Sequence, residues 1–252
     1  MVYVVGHRGA AGVMPENTIK GFRYAIELGV DYVECDVHLS RDKQLMVMHD
    51  ATVDRTTNGR GAIRDLTAAR IRSLDAGQGE QVPMLDEVLE TVRGEVHLLI
   101  ELKGTGVEHA AVEAVKAQSM QEYVTFTSFA LERLALVREM GKEYRLGAIL
   151  PNPTDFDLAR AVELQAVGIG IRYTNLCLRH VEAAHALGLE VRAWNPDTWD
   201  EQQAMITLGV DGISTNRPDI LLSNLGRQGE QVVAPDDPVD DEFEDDVDSG
   251  GL

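Results

Sequence analysis

The sequence predicts an α/β protein folded as a (β/α)8 TIM barrel, and three observations predict it. Short β-rich runs alternate with longer amphipathic stretches eight times over. Several of the amphipathic stretches end at Gly, which a helix C-terminus favours because it accepts the left-handed conformation. The chain is 252 residues long, a length that such a barrel commonly fills as one unit.

Taken in order, the first strand is VYVVG (2–6), an apolar run that leads straight into His7 and Arg8. Pro15 to Thr18 are expected to start the first outer helix, continued by NTIKGFRYAIELG. The second strand, DYVECDV (31–37), is followed by a connection far longer than the usual handful of residues. Within it SRDKQ reads as a turn, LMVMH as a short strand folding back and TTNGRG as a second turn; helix character resumes only at VPMLDEVLETV. Residues 40–82 are therefore expected to be a small insertion over the barrel mouth, and a loop this long in a compact domain is normally functional. Its glycines make no P-loop, because no Lys-Ser/Thr follows them. The other strands are HLLIELK (97–103), YVTFTSF (123–129), RLGAIL (145–150), VGIGI (167–171), EVRAW (190–194) and DGIST (211–215). Helices are expected in GVEHAAVEAVKAQ, FALERLALVREMG, LRHVEAAHALG and DEQQAMITLG.

The barrel domain is expected to span residues 1–225. Residues 226–252, with nine acids between Asp236 and Asp248 and no base, cannot bury enough apolar surface to offset ordering and are expected to form a disordered tail. The chain is 44% hydrophobic and 26% charged, with no apolar run long enough to span a bilayer. Its N-terminus lacks the basic region and apolar stretch of a secretory leader, so a cytoplasmic location is expected. Neither Cys35 nor Cys177 has a metal-ligand spacing. A net charge of −19 repels phosphate backbones and acidic membrane surfaces, which speaks against nucleic acid or stable membrane association and for a small-molecule partner. Lysine occurs only at 20, 43, 103, 116 and 142, the other basic residues being Arg; scarce Lys with abundant acid suggests work in a salt-rich cytoplasm.

In a barrel of this kind the active site lies at the C-terminal strand ends. Those ends carry His7 and Arg8, then Glu34 and Asp36, then His49 and Asp50 on the insertion, then Glu101 and Lys103. Strand side chains alternate faces, so Glu34 and Asp36 point one way and Cys35 the other, and Glu101 is paired with Lys103 in the same manner. Taken singly, each pair reads as solvated surface charge. Together on one barrel face they read as a site. Three converging carboxylates need a cation to neutralise them or protons to share, and all-oxygen donors suit a single divalent cation, Mg²⁺ or Ca²⁺, over zinc. His7 and His49 have the ordinary pKa for proton transfer, one as acid and one as base, with neither role assigned. Arg8 offers a bidentate fork for a phosphate and Lys103 a point charge beside the metal ligands. Trp194 and Phe129, at strand ends, read equally as an aromatic wall for substrate or as core. His38 shares the parity of Asp36 but lies past the expected strand end, and stays outside the catalytic set.

These residues resemble the glycerophosphodiester phosphodiesterase family. The resemblance is carried by HRG (7–9), PENT (15–18), ECDV (34–37), Val47-Met48-His49-Asp50, RTTNGRG (55–61), PMLDE (83–87), ELK (101–103), SF (128–129), Trp194 and DGISTNRP (211–218), in order across about residues 4–222. It implies a metal-dependent hydrolase that cleaves glycerophosphodiesters to glycerol phosphate and an alcohol, with the cation on Glu34, Asp36 and Glu101, acid/base roles for His7 and His49, and phosphate contacts from Arg8 and Lys103. Two stretches depart from the family's pattern: T-D-x-P is here Thr215-Asn216-Arg217-Pro218, and W-T-V-N is Trp194-Asn195-Pro196-Asp197. Neither removes a ligand or a histidine; both bear on substrate preference. A lysophospholipase D activity would call for a Trp/Leu-rich loop or a basic amphipathic stretch, and a catalytically silent barrel for a lost histidine or carboxylate.

Overall fold

Alternating β-branched runs and amphipathic helices produce a closed sheet with helices around it. The computed structural model describes residues 1–227, so the expected acidic tail lies outside the described residues from 228 on. The strands are β1 (Tyr3–Gly6), β2 (Tyr32–Leu39), β3 (Leu45–Val47), β4 (His97–Leu102), β5 (Val124–Ser128), β6 (Arg145–Ile149), β7 (Gly168–Arg172), β8 (Glu190–Trp194) and β9 (Gly212–Thr215). All but β3 are parallel and follow one another around the barrel, which closes where β9 and β2 both pair with β1. The expected (β/α)8 barrel is thus the fold observed. Its register sets Gly6 beside Val33 and Thr215, and Asp36 beside Glu101.

The helices are α1 (Ile19–Leu28), α2 (Ala68–Arg72), α3 (Leu85–Val92), α4 (Glu108–Ala117), α5 (Leu131–Met140), α6 (Asp155–Glu163), α7 (Leu178–Ala186), α8 (Trp199–Leu208) and α9 (Pro218–Asn224). Of the stretch Pro15 to Thr18 expected to start α1, Thr18 is the N-cap, its hydroxyl accepting from Gly21 N, and the helix proper begins at Ile19. Pro15 to Asn17 form the turn before it. Helices α6 and α9 had no assignment from the sequence. Thr154 and Asp157 cap α6 reciprocally, and α9 starts on Pro218, whose missing N–H costs nothing at a first helical position.

Outward-facing strand residues Val4, Val33, Cys35, Ile100 and Phe126 are buried under helix residues such as Phe22, Leu89, Val115 and Leu134. This sheet-to-helix layer is the main core. Inward-facing residues are larger and more polar, and glycines make room for them: a Cβ at Gly170 would sit 3.3 Å from the Trp194 ring.

Residues 40–82 carry their own small core of Met46, Met48, Val53, Ile63, Ile71, Leu74 and Val82, separate from the main one. Strand β3 pairs antiparallel with the far end of β2, Val37 to Val47 and Leu39 to Leu45, and so anchors this segment on the barrel. That pairing also carries β2 to Leu39, two residues past its expected end. No helix among the described residues is long and apolar enough to cross a membrane.

Candidate active site

The first strand delivers its His-Arg pair through a tight turn. Gly9 has φ +88°, and a Cβ there would lie 2.7 Å from the backbone carbon of Gly21, so glycine is required twice over. Arg8 itself is left-handed at φ 49°, which aims its backbone N–H at Glu34 Oε2, 2.9 Å away. The guanidinium is buried, with NH1 donating to Glu16 Oε1 at 3.2 Å and Nε 3.6 Å from Asp36 Oδ2.

Glu34 and Asp36 project from β2 to the same side, and Glu101 lies next to Asp36 across the β2–β4 register. One oxygen from each falls within 4.8 Å of the others, and all three residues are buried. Electrostatics splits the trio. Burial and the neighbouring Asp36 and Glu101 push Glu34 well above the usual carboxylate range. Glu101 is also raised, by burial first, against the pull of Lys103. Burial acts on Asp36 in the same direction, but its neighbours His49, Lys103 and Arg8 outweigh it and hold its carboxyl below the usual range. Asn17 Nδ2 donates to Asp36 Oδ2 at 2.9 Å. Glu34 Oε1 and Asp36 Oδ1 are buried and accept no hydrogen bond. Buried oxygens left without donors, beside a third carboxylate, are what a hard divalent cation takes as ligands, so these residues fit one.

His49 follows β3 and is gripped on every side. Its Nδ1 donates to Asp50 Oδ1 at 2.8 Å, and Lys103 Nζ lies 2.5 Å from its Nε2. His38 Nε2 donates to the backbone carbonyl of His49 at 2.9 Å. Asp50 in turn receives Nε and NH2 of Arg55, each at 2.9 Å, and Arg55 also makes two 2.8 Å bonds to Glu16. Burial would raise Asp50, but its bonds to His49 and Arg55 hold it below the usual range. The RTTNGRG segment therefore ties the insertion to the loop after β1 through Glu16.

His7 is held on the other side of the mouth. Its Nδ1 is 2.7 Å from Asn216 Oδ1, and its Nε2 is 3.9 Å from Glu34 Oε2. Burial, followed by the charge on Arg8, lowers its pKa to about 3. Asn195 Nδ2 lies 3.3 and 3.5 Å from the two ring nitrogens. Phe129 and Trp194 meet edge to face with centroids 5.8 Å apart, and Lys103 Nζ is 5.9 Å from the Phe129 centroid. Both aromatics therefore stand beside the charged cluster.

All nine residues singled out from the sequence lie at this mouth. Sequence reading missed their supports: Asn17, Glu16 and Arg55, His38, Asn195, Asp197 and Asn216. His38 was excluded as lying past the strand; β2 in fact includes it, because β3 extends the pairing. Its even spacing from Glu34 and Asp36 was the available signal.

The chain matches the model of the glycerophosphoryl diester phosphodiesterase family over residues 7–220. It is 36% identical to a glycerophosphodiester phosphodiesterase of Caldanaerobacter subterraneus over 239 residues, covering 90% of this chain and 98% of that protein. Among solved structures it resembles a phosphodiesterase of Oleispira antarctica in complex with the product sn-glycerol-3-phosphate, at TM-score 0.85 and 28% identity, covering 89% and 96% of the two chains. A glycerophosphodiester phosphodiesterase of Agrobacterium tumefaciens aligns at TM-score 0.77 and 31% identity, covering 88% and 99%.

Proposed function

The chain belongs to the glycerophosphoryl diester phosphodiesterase family, and from its site we propose that it hydrolyses glycerophosphodiesters, the deacylated phospholipids, to glycerol phosphate and an alcohol. One observation carries this reading: two histidines, each fixed through Nδ1 by its own partner, flank three buried carboxylates and two basic side chains. Glu34, Asp36 and Glu101 would hold one divalent cation, Mg²⁺ or Ca²⁺, which when bound withdraws charge from a phosphoryl oxygen.

The rest of the chemistry belongs to the side chains. A nucleophilic oxygen, from water or from the substrate's own glycerol hydroxyl, adds in line to phosphorus as the bond to the departing alcohol breaks; where the glycerol hydroxyl attacks, the product is a cyclic phosphate that water then opens to glycerol phosphate. One histidine takes the nucleophile's proton and the other supplies a proton to the leaving oxygen, so no free alkoxide is released. Arg8 and Lys103 lie where negative charge builds on the phosphoryl group; Arg8 also keeps Asp36 ionised. Phe129 and Trp194 form an apolar wall against the substrate. Asp50, clamped by Arg55, keeps Nε2 of His49 turned to the mouth.

The net charge of −19 supports a small-molecule substrate over nucleic acid or an acidic membrane. Cys177, exposed and unpaired, fits the reducing cytoplasm. The test is release of glycerol phosphate from glycerophosphocholine with Mg²⁺, with Ca²⁺ and with chelator. Turnover should vanish with chelator and fall roughly 10²- to 10⁴-fold in His7→Ala and in His49→Ala. Near-full activity in both variants would sink the assignment.

A further inference from the structure

Behind His7 lies a chain of hydrogen bonds whose direction is fixed from its far end. Arg217 N and Gln202 Nε2 donate to Thr215 Oγ1 at 3.0 and 3.2 Å, so the Thr215 hydroxyl must spend its hydrogen elsewhere, and it lies 2.7 Å from Asp197 Oδ1. Asn216 N also donates to Asp197 Oδ1, at 2.8 Å. Gln202 is fully buried, and Thr215 and Asn216 are buried with it. Asp197 Oδ2 receives Asn216 Nδ2 at 2.7 Å. The amide cannot be turned round, because two oxygens would then face each other at 2.7 Å. Its Oδ1 is thereby presented to His7 Nδ1, also at 2.7 Å, and an acceptor at that distance demands a hydrogen on the ring nitrogen.

We propose that Asn216, oriented by Asp197, is a positioning residue that fixes His7 as its Nδ1–H tautomer, leaving Nε2 as the bare proton acceptor facing the carboxylate cluster. The inference deepens the phosphodiesterase reading and rests on it for its catalytic meaning. It makes His7 the side that accepts a proton from the nucleophile. Of the other groups around the His7 ring, Asn195 Nδ2 lies 3.3 Å from Nδ1 and 3.5 Å from Nε2 and so selects neither nitrogen. Glu34 Oε2, the carboxylate facing Nε2, stands off at 3.9 Å and already accepts from Arg8 N. A neutral amide suits this role, because it selects the tautomer without adding a negative charge that would favour the imidazolium.

The tautomer can be read directly by long-range ¹H–¹⁵N correlation spectra of the full-length protein labelled at histidine, at pH 8. His7 is assigned from the signals lost in His7→Gln. The wild-type ring should show a protonated Nδ1 and a lone pair at Nε2. In Asn216→Ala the ring should shift toward the Nε2–H form that free imidazole side chains prefer. In Asp197→Asn, where residue 197 can donate as well as accept, the ring signals should become those of a mixture, with kcat toward glycerophosphocholine down about 10-fold or more and KM within about 2-fold. An Nε2–H wild-type ring overturns the inference, and so does Asp197→Asn with wild-type ring signals and kcat. If a variant fails to fold, the wild-type spectrum still decides. A wild-type protein with the expected tautomer but no turnover of glycerophosphocholine would instead count against the proposed substrate.

Discussion

Asp50 shows how one residue is made to serve another. It accepts from His49 and is held by a guanidinium that also grips Glu16, so its orientation is set from two segments at once. Arg55 is itself about half exposed, with 46% of its side chain accessible, so its ion pairs add little to global stability. Arg55→Ala should therefore lower kcat about 10-fold through a loosened Asp50 while moving the unfolding free energy by less than about 1 kcal/mol. Arg55→Lys should recover little, since an ammonium cannot engage two carboxylates side by side. Steady-state kinetics beside a urea titration checks both halves, and a stability loss as large as the kinetic one would point to a structural role. The HD and RTTNGRG strings were legible in the sequence. That Arg55 reaches back to Asp50 and across to Glu16 was not, because the loop's path decides it.

The insertion is the element with the most independence. Most of its apolar residues cluster among themselves, apart from the barrel core, and it meets the barrel chiefly through β3 on β2, where Leu45 and Val47 join that core. Ile71 is fully buried in that cluster. Ile71→Ala should cost about 2 to 5 kcal/mol of local stability and speed amide exchange across 45–82, with the barrel strands β4 to β9 unchanged. Exchange measured by mass spectrometry reads this, and uniform acceleration would mean a single cooperative unit. The turns and the returning strand of this segment could be read from Gly, Asp and the LMVM run. Helix α2, only five residues long, could not, being too short to show a period. Helix α6 escaped for another reason: its signal lies in the reciprocal Thr154–Asp157 cap more than in its apolar face.

At the scale of the whole molecule, charge dominates. With Glu34 and Glu101 raised above their unfolded values, near about 4.3, the native state holds protons more tightly than the unfolded chain. Their contribution is full below about pH 4.3 and is lost as pH rises through the raised values; the depressed Asp36 works in the opposite sense, at lower pH. Without a cation the protein should therefore lose stability from these two groups toward pH 8, and Mg²⁺ or Ca²⁺ should restore it. The gain in Tm on adding the cation should be larger at pH 8 than at pH 5, where protons compete for the same oxygens. Equal gains at both pH values, or none, would count against the cluster as the cation's seat. The −19 charge should also make KCl stabilising, because screening relieves self-repulsion. Urea midpoints between low salt and about 1 M KCl test this, and a flat response would remove the case for a salt-adapted protein.

The sequence by itself determined the alternation that closes a barrel, and the nine chemically distinctive residues at its mouth. Both are written in local patterns: period-2 strands, amphipathic helices, and polar side chains at strand ends. Only the tertiary structure decided what holds those residues. Asn216 and Asp197 sit on different loops, in the two stretches where the chain departs from its family's pattern, and their contact becomes visible only when β8 and β9 lie side by side. A hydrogen bond's direction depends on every partner along its chain, and those partners are brought together by folding, not by spacing.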